Sequence, residues 1–438
     1  MSEVKNKPLA IAKFFVFSFI GIAAFFVQIP IGGRSRIPID HITSFLYGIF
    51  SPFYSYLVLL FCAIALTMTF VTRKTFRRST LDLVLAICQV LGTVIAVLLM
   101  LGLAPDFLAD PDIGPGTMVN MGRSIIMIFC AAFFLPFLIN YGLIDAVGVI
   151  VKPFMRPVFK VPGLTAVIAA STFLGNFSIG ILSTNALYKE GKLNYKEGAI
   201  VVTGFSTISI GLMLLFSQLL GIAEHFLFYF VSSAVVTYVV TAIVVHLPPT
   251  RNWPTTYYND RQSPIAEDTL KGSRLQSAWE TGLGIADAAP SPVKTVGGIL
   301  ASTLRVLANM ISSSMFIIVL GLLLNKYTPV FSWLGMIFYP IYALFSYAEA
   351  RVLATASGLA ITDVIPAVMY GTTQQLSLAA RYVLAAFPVT VIIFIGGFFT
   401  CLMATDFRVK VGHLFILWVE RMVLALIFYC AIGVVVFG

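Results

Sequence analysis

The chain has 438 residues, 59% of them hydrophobic and only 11% charged, with a mean hydropathy of +0.96. A water-soluble protein of this size lacks the polar surface to cover so much apolar matter, which excludes a soluble fold. The net charge of +9 sits in segments between apolar runs; that is the pattern of cytoplasmic loops and excludes a nucleic-acid-binding stripe.

Apolar runs of about 18–20 residues mark spanning helices. They are predicted at 9–31, 52–72, 80–103, 117–142, 195–222, 225–247, 299–325, 378–403 and 412–437. The first lies among Lys5, Lys7 and Lys13, but it is too long for a cleaved signal peptide and no small-x-small site follows it. Arg73, Lys74, Arg77 and Arg78 put the end of the second span in the cytoplasm, and Asp106, Asp110 and Asp112 put the end of the third outside. Lys152, Arg156 and Lys160 return the chain to the cytoplasm. Lys189, Lys192 and Lys196 are inside as well, so 163–190 enters and leaves by one face as a re-entrant hairpin. The same alternation places a second hairpin, 350–372, on the outer face, with the N-terminus cytoplasmic and the C-terminus outside. Segments 143–160 and 328–346 read as amphipathic. The Pro-, Thr- and Ser-rich stretch 248–296 reads as a cytoplasmic linker, a small regulatory binding element being the lesser reading.

The five cysteines (Cys62, Cys88, Cys130, Cys401, Cys430) fall in apolar segments without paired spacing, and the four histidines (His41, His225, His246, His413) are scattered. No HExxH, phosphate-loop or dinucleotide fingerprint occurs. Neither enzymatic chemistry, a cofactor nor a metal site is expected.

Within the first hairpin, "GNFSIG" (175–180) cuts an apolar run. Irregular backbone is tolerated at membrane depth only when buried in protein or lining a watery cavity. Asn176 and Ser178 therefore read as ligand contacts, or as caps of the following half-helix. In "TGFSTISIG", Ser206, Thr207 and Ser209 interrupt the span 195–222, unless they merely bond carbonyls one turn back. Pro388 and Thr390 interrupt 378–403, where proline frees a carbonyl. In "SGLAITDVIPAV", Thr362 and Asp363 read as substrate or ion contacts, with a helix cap as the plain alternative. Gln374 stands at the hairpin exit, and Glu349 and Arg351 at its entry. Phe173, Phe177 and Phe205 either stack on a ring substrate or pack between helices. The pair Glu420-Arg421 is expected to snorkel at the membrane interface, a deep charge pair being the lesser reading.

The two halves share parts. Gly148 and Pro153 correspond to Gly335 and Pro340, Gly175 to Gly358, Tyr188 to Tyr370 and Phe205 to Phe387, at nearly constant offset. Each unit holds a span, an amphipathic helix, a hairpin and two more spans, an odd number of crossings that turns the second copy over. The predicted fold is an all-α integral membrane protein with about nine transmembrane helices and two re-entrant helical hairpins in two inverted repeats. Its divisions are N-terminal scaffold helices (1–116), a first repeat (117–247), the linker (248–296) and a second repeat (297–438).

"GLIDAVGVIVKPFMRPVFKVPG" followed by "GNFSIG" resembles the opening of the nucleoside-recognition (Gate) domain. The whole chain resembles the YjiH family of bacterial inner-membrane proteins, and its layout is similar to concentrative nucleoside transporters. The resemblance implies an elevator-like secondary active transporter, a symporter driven by sodium or protons, homo-oligomeric in the inner membrane. A coupling sodium ion would sit near Asn176, Ser178 and Thr207. Those transporters carry Gln-Thr and an acidic residue at the first hairpin, where this chain has Asn176 and Ser178. The substrate class thus stays open among nucleosides, nucleobases, amino acids and short peptides. The alternative is a non-transporting Gate-domain assembly partner.

Overall fold

The computed structural model describes residues 7–31, 34–71, 80–175, 177–260, 273–391, 393, 397–403, 405–406 and 409–438. The expectations for Asn176 and for Arg73, Lys74, Arg77 and Arg78 lie outside them, as does the side chain of Ser178.

In chain order, helix α1 (Lys7–Phe26) leads through a hairpin of β1 (Ile29–Ile31) and β2 (Arg34–Arg36) into α2 (Pro38–Phe50) and α3 (Tyr54–Val71). Then follow α4 (Thr80–Met100), the single turn α5 (Asp106–Ala109), α6 (Gly114–Ile139) and the amphipathic α7 (Leu143–Phe159). The first helix pair is α8 (Thr165–Leu174) and α9 (Phe177–Lys189); α10 (Tyr195–Gly204), α11 (Ile210–Leu219) and α12 (Phe226–Val244) complete the first half. After α13 (Arg274–Ala288) the same order returns. It comprises the long α14 (Pro292–Tyr327), short α15 (Val330–Gly335) and α16 (Tyr339–Leu344), the pair α17 (Ala350–Leu359) and α18 (Val364–Thr372), then α19 (Leu378–Thr390), α20 (Gly397–Met403) and α21 (Val411–Phe437).

Among the described residues six helices are long and apolar enough to cross a membrane, which makes this a multi-pass membrane protein. Two stretches predicted as spans are each divided: 195–222 into α10 and α11, and 378–403 into α19 and α20. The span predicted at 299–325 starts earlier, at Pro292. Its 36 residues reach about 54 Å at ~1.5 Å per residue.

The linker holds more than irregular chain. Helix α13 packs on α1 and α7. Gly282 of α13 lies so close that an added Cβ would stand 2.8 Å from Phe14 Cε2, and one on Gly142 (φ +88°) would stand 2.1 Å from Gly282 O. Trp279 meets Phe14 edge-on at 5.5 Å.

Two groups of helices emerge. The long first helix of each half, α6 and α14, packs with α3 and α4. Elsewhere α12, α19 and α21 pack on one another, with α10 and α11 against α12. In the first group backbone approach replaces side-chain bulk, as is usual between membrane helices. A Cβ on Gly92 of α4 would fall 2.0 Å from Ser312 O of α14. Ser312 Oγ donates to Gln89 O at 3.0 Å, Gln89 Nε2 to Asn309 Oδ1 at 3.2 Å and Thr69 Oγ1 to Gln89 Oε1 at 2.7 Å. The halves also treat their matched glycines alike. An added Cβ at Gly148 would meet Val167 of α8 at 2.6 Å, and one at Gly335 would meet Ala354 O of α17 at 2.0 Å.

Substituting Gly92→Val should overpack the α4–α14 contact and cost about 1–3 kcal/mol. Gly297 lies in the same α14 with open space around it, so Gly297→Ala should stabilise by about 0.5–1 kcal/mol. Unfolding temperatures in detergent should move in opposite directions for the two variants. A Gly92→Val protein as stable as the parent would contradict the packing.

Candidate functional site

Each half contains two places where a helix stops and restarts, and a helix that stops leaves polar backbone groups unsatisfied. In the first pair α8 ends at Leu174 with Gly175 as its cap, and α9 begins at Phe177. The two arms cross where Gly180 faces Thr172; a Cβ there would lie 1.9 Å from Thr172 Cγ2. The second glycine of "GNFSIG" is thus explained by close approach. Thr172 reaches onward: its Oγ1 lies 3.0 Å from Phe205 O, and Thr207 Oγ1 donates to Thr172 O at 3.3 Å. Hydroxyls therefore tie the first pair to the break between α10 and α11.

That break is Phe205–Ser209. Ser206 and Thr207 are buried, and Ser209 caps α11 by accepting from Leu212 N at 3.3 Å. Ahead of it, Gly204 O accepts from Thr241 Oγ1 of α12 at 2.7 Å. In the second half Asp363 caps α18, accepting from Ile365 N at 3.2 Å, with only 6% of its surface exposed. Thr362 Oγ1 donates to Leu359 O at 2.8 Å. Glu349 Oε1 accepts from Ser377 N at 2.7 Å, closing the base of this pair. Helix α19 continues through Pro388 and stops at Thr390. The Thr390 hydroxyl is buried between Thr237 Oγ1 at 2.8 Å and Tyr429 OH at 2.7 Å.

The break at α10 and the end of α19 meet at Arg421. Its side chain is 1% exposed. Nε donates to Thr390 O at 3.0 Å, Nη2 to Thr390 O at 2.7 Å and to Gly204 O at 3.4 Å, and Nη1 to Thr241 Oγ1 at 3.1 Å. The expected snorkelling is corrected here. Arg421 lies on the inner face of α21, where four hydrogen bonds to three acceptors replace its water, while neighbouring Glu420 points elsewhere because successive helix residues do not share a face. Spanning helices end in partial negative charge at their C-termini, and the guanidinium lies against two such ends. Adjacent charges in an otherwise apolar span were the available signal, since intramembrane charges usually face a protein interior.

Hydrogen bonds therefore join Thr207 and Thr390 to one connected core, with Ser206 buried in the same break. Thr362 and Asp363 lie on the second pair, which packs on α11, α14 and α19. Gln374 is not part of this convergence; its amide donates to Thr373 Oγ1 at 3.0 Å beyond the end of α18. The aromatic residues pack on protein rings: Phe173 on Phe230 at 5.1 Å, Phe205 on Phe159 at 5.0 Å and Phe177 on Phe398 at 6.4 Å. Among the described residues no group of three or more His, Cys, Asp or Glu could hold a metal. A cavity of about 230 Å³, with Tyr47, Arg123, Gln218 and Glu224 in its lining, lies apart from the breaks.

Comparison with known proteins gives three kinds of match. Residues 122–223 match the family model Gate, described as nucleoside recognition. An uncharacterized protein of Alkalihalophilus pseudofirmus is 24% identical over 431 residues, which is 94% of this chain and 92% of that protein. The sporulation integral membrane protein YlbJ of Bacillus subtilis is 27% identical over 124 residues, 24% of this chain and 30% of that protein. Of solved structures, CNTnw in an inward-facing substrate-bound state aligns with 98% of this chain and 92% of its own, at 12% identity and a TM-score of 0.45. A CNTnw variant in an outward-facing state aligns at 11% identity and a TM-score of 0.42, again over 98% and 92%. The Gate resemblance read from "GVIVKPFMRPVF" and "GNFSIG" is borne out over residues 122–223, which match the nucleoside-recognition family from α6 to the turn after α11.

Proposed function

We propose that the protein is a secondary active transporter of a small polar, nucleoside-like metabolite, with amino acids and short peptides as the other substrates to test. The observation that carries this reading is the repeated order of a long helix, a helix pair and a broken helix, with the breaks joined at depth. Inverted repeats with broken helices meeting near the midplane are the architecture of secondary transporters. The Gate match supports the nucleoside-like class because it spans the first pair and the first broken helix.

In this reading the divided stretches each count as one crossing, giving about nine spans and two re-entrant pairs. One repeat is inverted, the N-terminus is cytoplasmic and the C-terminus outside, in a bacterial inner membrane. Substrate contacts fall to Asn176, Ser178, Ser206, Thr207 and Ser209 on the first half and to Thr362, Asp363 and Thr390 on the second. Gln374 would act at the mouth. Coupling uses sodium or protons; a sodium site would draw on Asn176, Ser178 and Thr207. Alternating access moves the pairs and broken helices, elevator-like, against α3, α4, α6 and α14. A homo-oligomer would supply the stationary platform. Differential affinity between the inward and outward states is all such a mechanism needs.

Purified protein should be thermally stabilised by one class in a metabolite panel run in sodium, in potassium and at low pH. Ligand at about a hundred times its Kd adds ~2.7 kcal/mol to apparent stability. Asp363→Asn and Thr207→Val should remove that gain while the protein remains folded. If neither change alters the biological activity of cells carrying the protein, and no ligand stabilises it, the assembly-partner reading replaces this one.

Orientation is checked separately. A fluorescent reporter fused before Met1 should be active, and a periplasmic phosphatase reporter fused after Gly438 should also be active. Loss of phosphatase activity with an intact fusion would reverse the topology.

A further inference from the structure

We infer that Arg421 is a built-in cation that permanently occupies the junction of the two broken helices and so fuses both halves into one body. Gly204 O and Thr390 O end helices from different halves, and both carry the partial negative charge of a helix C-terminus. Two such ends brought together repel unless a positive charge stands between them. Arg421 supplies it: Thr390 O accepts from two guanidinium nitrogens, at 3.0 and 2.7 Å, and Gly204 O accepts at 3.4 Å. Among the described residues no carboxylate forms an ion pair with it, so the carbonyl ends and the Thr241 hydroxyl are its counter-groups.

The geometry favours guanidinium over a metal. A planar fork reaches two separated carbonyls and a hydroxyl from a single anchor, whereas a metal ion gathers oxygens at a common centre. The surrounding hydroxyls are already committed: Thr241 Oγ1 donates to Gly204 O at 2.7 Å, and Thr390 Oγ1 lies between Thr237 and Tyr429. Being covalently attached, this cation cannot leave during a cycle. The junction of α10, α12, α19 and α21 therefore stays closed in every state, which withdraws Thr390 from the proposed substrate contacts, and any coupling cation binds elsewhere. Only that last consequence rests on the transporter reading; the pin itself is a property of the fold.

The test needs no substrate. Unfolding temperatures are measured in detergent for the parent, Arg421→Lys, Arg421→Gln and Arg421→Ala, each with millimolar guanidinium, urea, sodium or potassium chloride. Arg421→Gln keeps length without charge and should unfold several degrees lower. Arg421→Lys should recover part of the loss. Guanidinium should raise Arg421→Ala saturably while leaving the parent unchanged, and urea, sodium and potassium should not. Parental stability in Arg421→Gln would overturn the inference, because the charge would be dispensable. Rescue of Arg421→Ala by sodium or potassium as well as by guanidinium would also overturn it, since the junction would then be a metal site. So would the absence of rescue by any cation. If Arg421→Ala does not fold, the comparison of Arg421→Lys with Arg421→Gln decides.

Discussion

A single guanidinium lies between Gly204 O and Thr390 O and joins the ends of two helices from different halves. Taking a cation out of water costs several kcal/mol even after relaxation. At this site the cost is offset by four hydrogen bonds and by two helix ends that would otherwise repel. The first half supplies Gly204 and Thr241, the second Thr390 and Arg421 itself. Neither half could bury these groups alone, so the breaks and the arginine are mutually dependent features of one design.

The same accounting explains why the other breaks hold. A helix that restarts inside a membrane must satisfy its first amide groups internally. Ser209 does so for α11 and Asp363 for α18. Across the gap between the first pair and the broken helix, Thr172 Oγ1 lies against Phe205 O and Thr207 Oγ1 donates to Thr172 O. These side chains thus have local structural duties as well as positions suited to contacting a solute. Capping and ligand contact are compatible when a carboxylate or hydroxyl retains unused acceptor capacity, as a carboxylate holding one amide does.

Much of the fold is legible from apolar run length, because a membrane imposes that length directly. The spans at 9–31, 117–142, 225–247 and 412–437 correspond to α1, α6, α12 and α21 within a few residues. Polar interruptions within runs also read correctly: Gly175 and the Ser206–Ser209 stretch sit where helices stop. Two things were hidden. The segment after 273 looks like linker because its composition is polar, but α13 presents Ala278, Gly282, Leu283 and Ala286 to α1 and α7. Arg421 looked like an interfacial charge because a sequence gives depth along a helix poorly. Only the packing of α21 against α12 and α19 fixes which face it occupies.

The division into two helix groups also constrains how they could move past each other. Sliding surfaces need small residues and few bonds to break. Gly211 of α11 meets Ala131 of α6 with only 2.9 Å left for a Cβ, and Gly321 of α14 faces Thr362 of the second pair at 3.8 Å. Polar ties from α11 to α2 gather instead at its end, where Gln218 bonds Asp40, Thr43 and Tyr47. The bonds of Gln218 thus lie at the opposite end of α11 from the break at Phe205–Ser209.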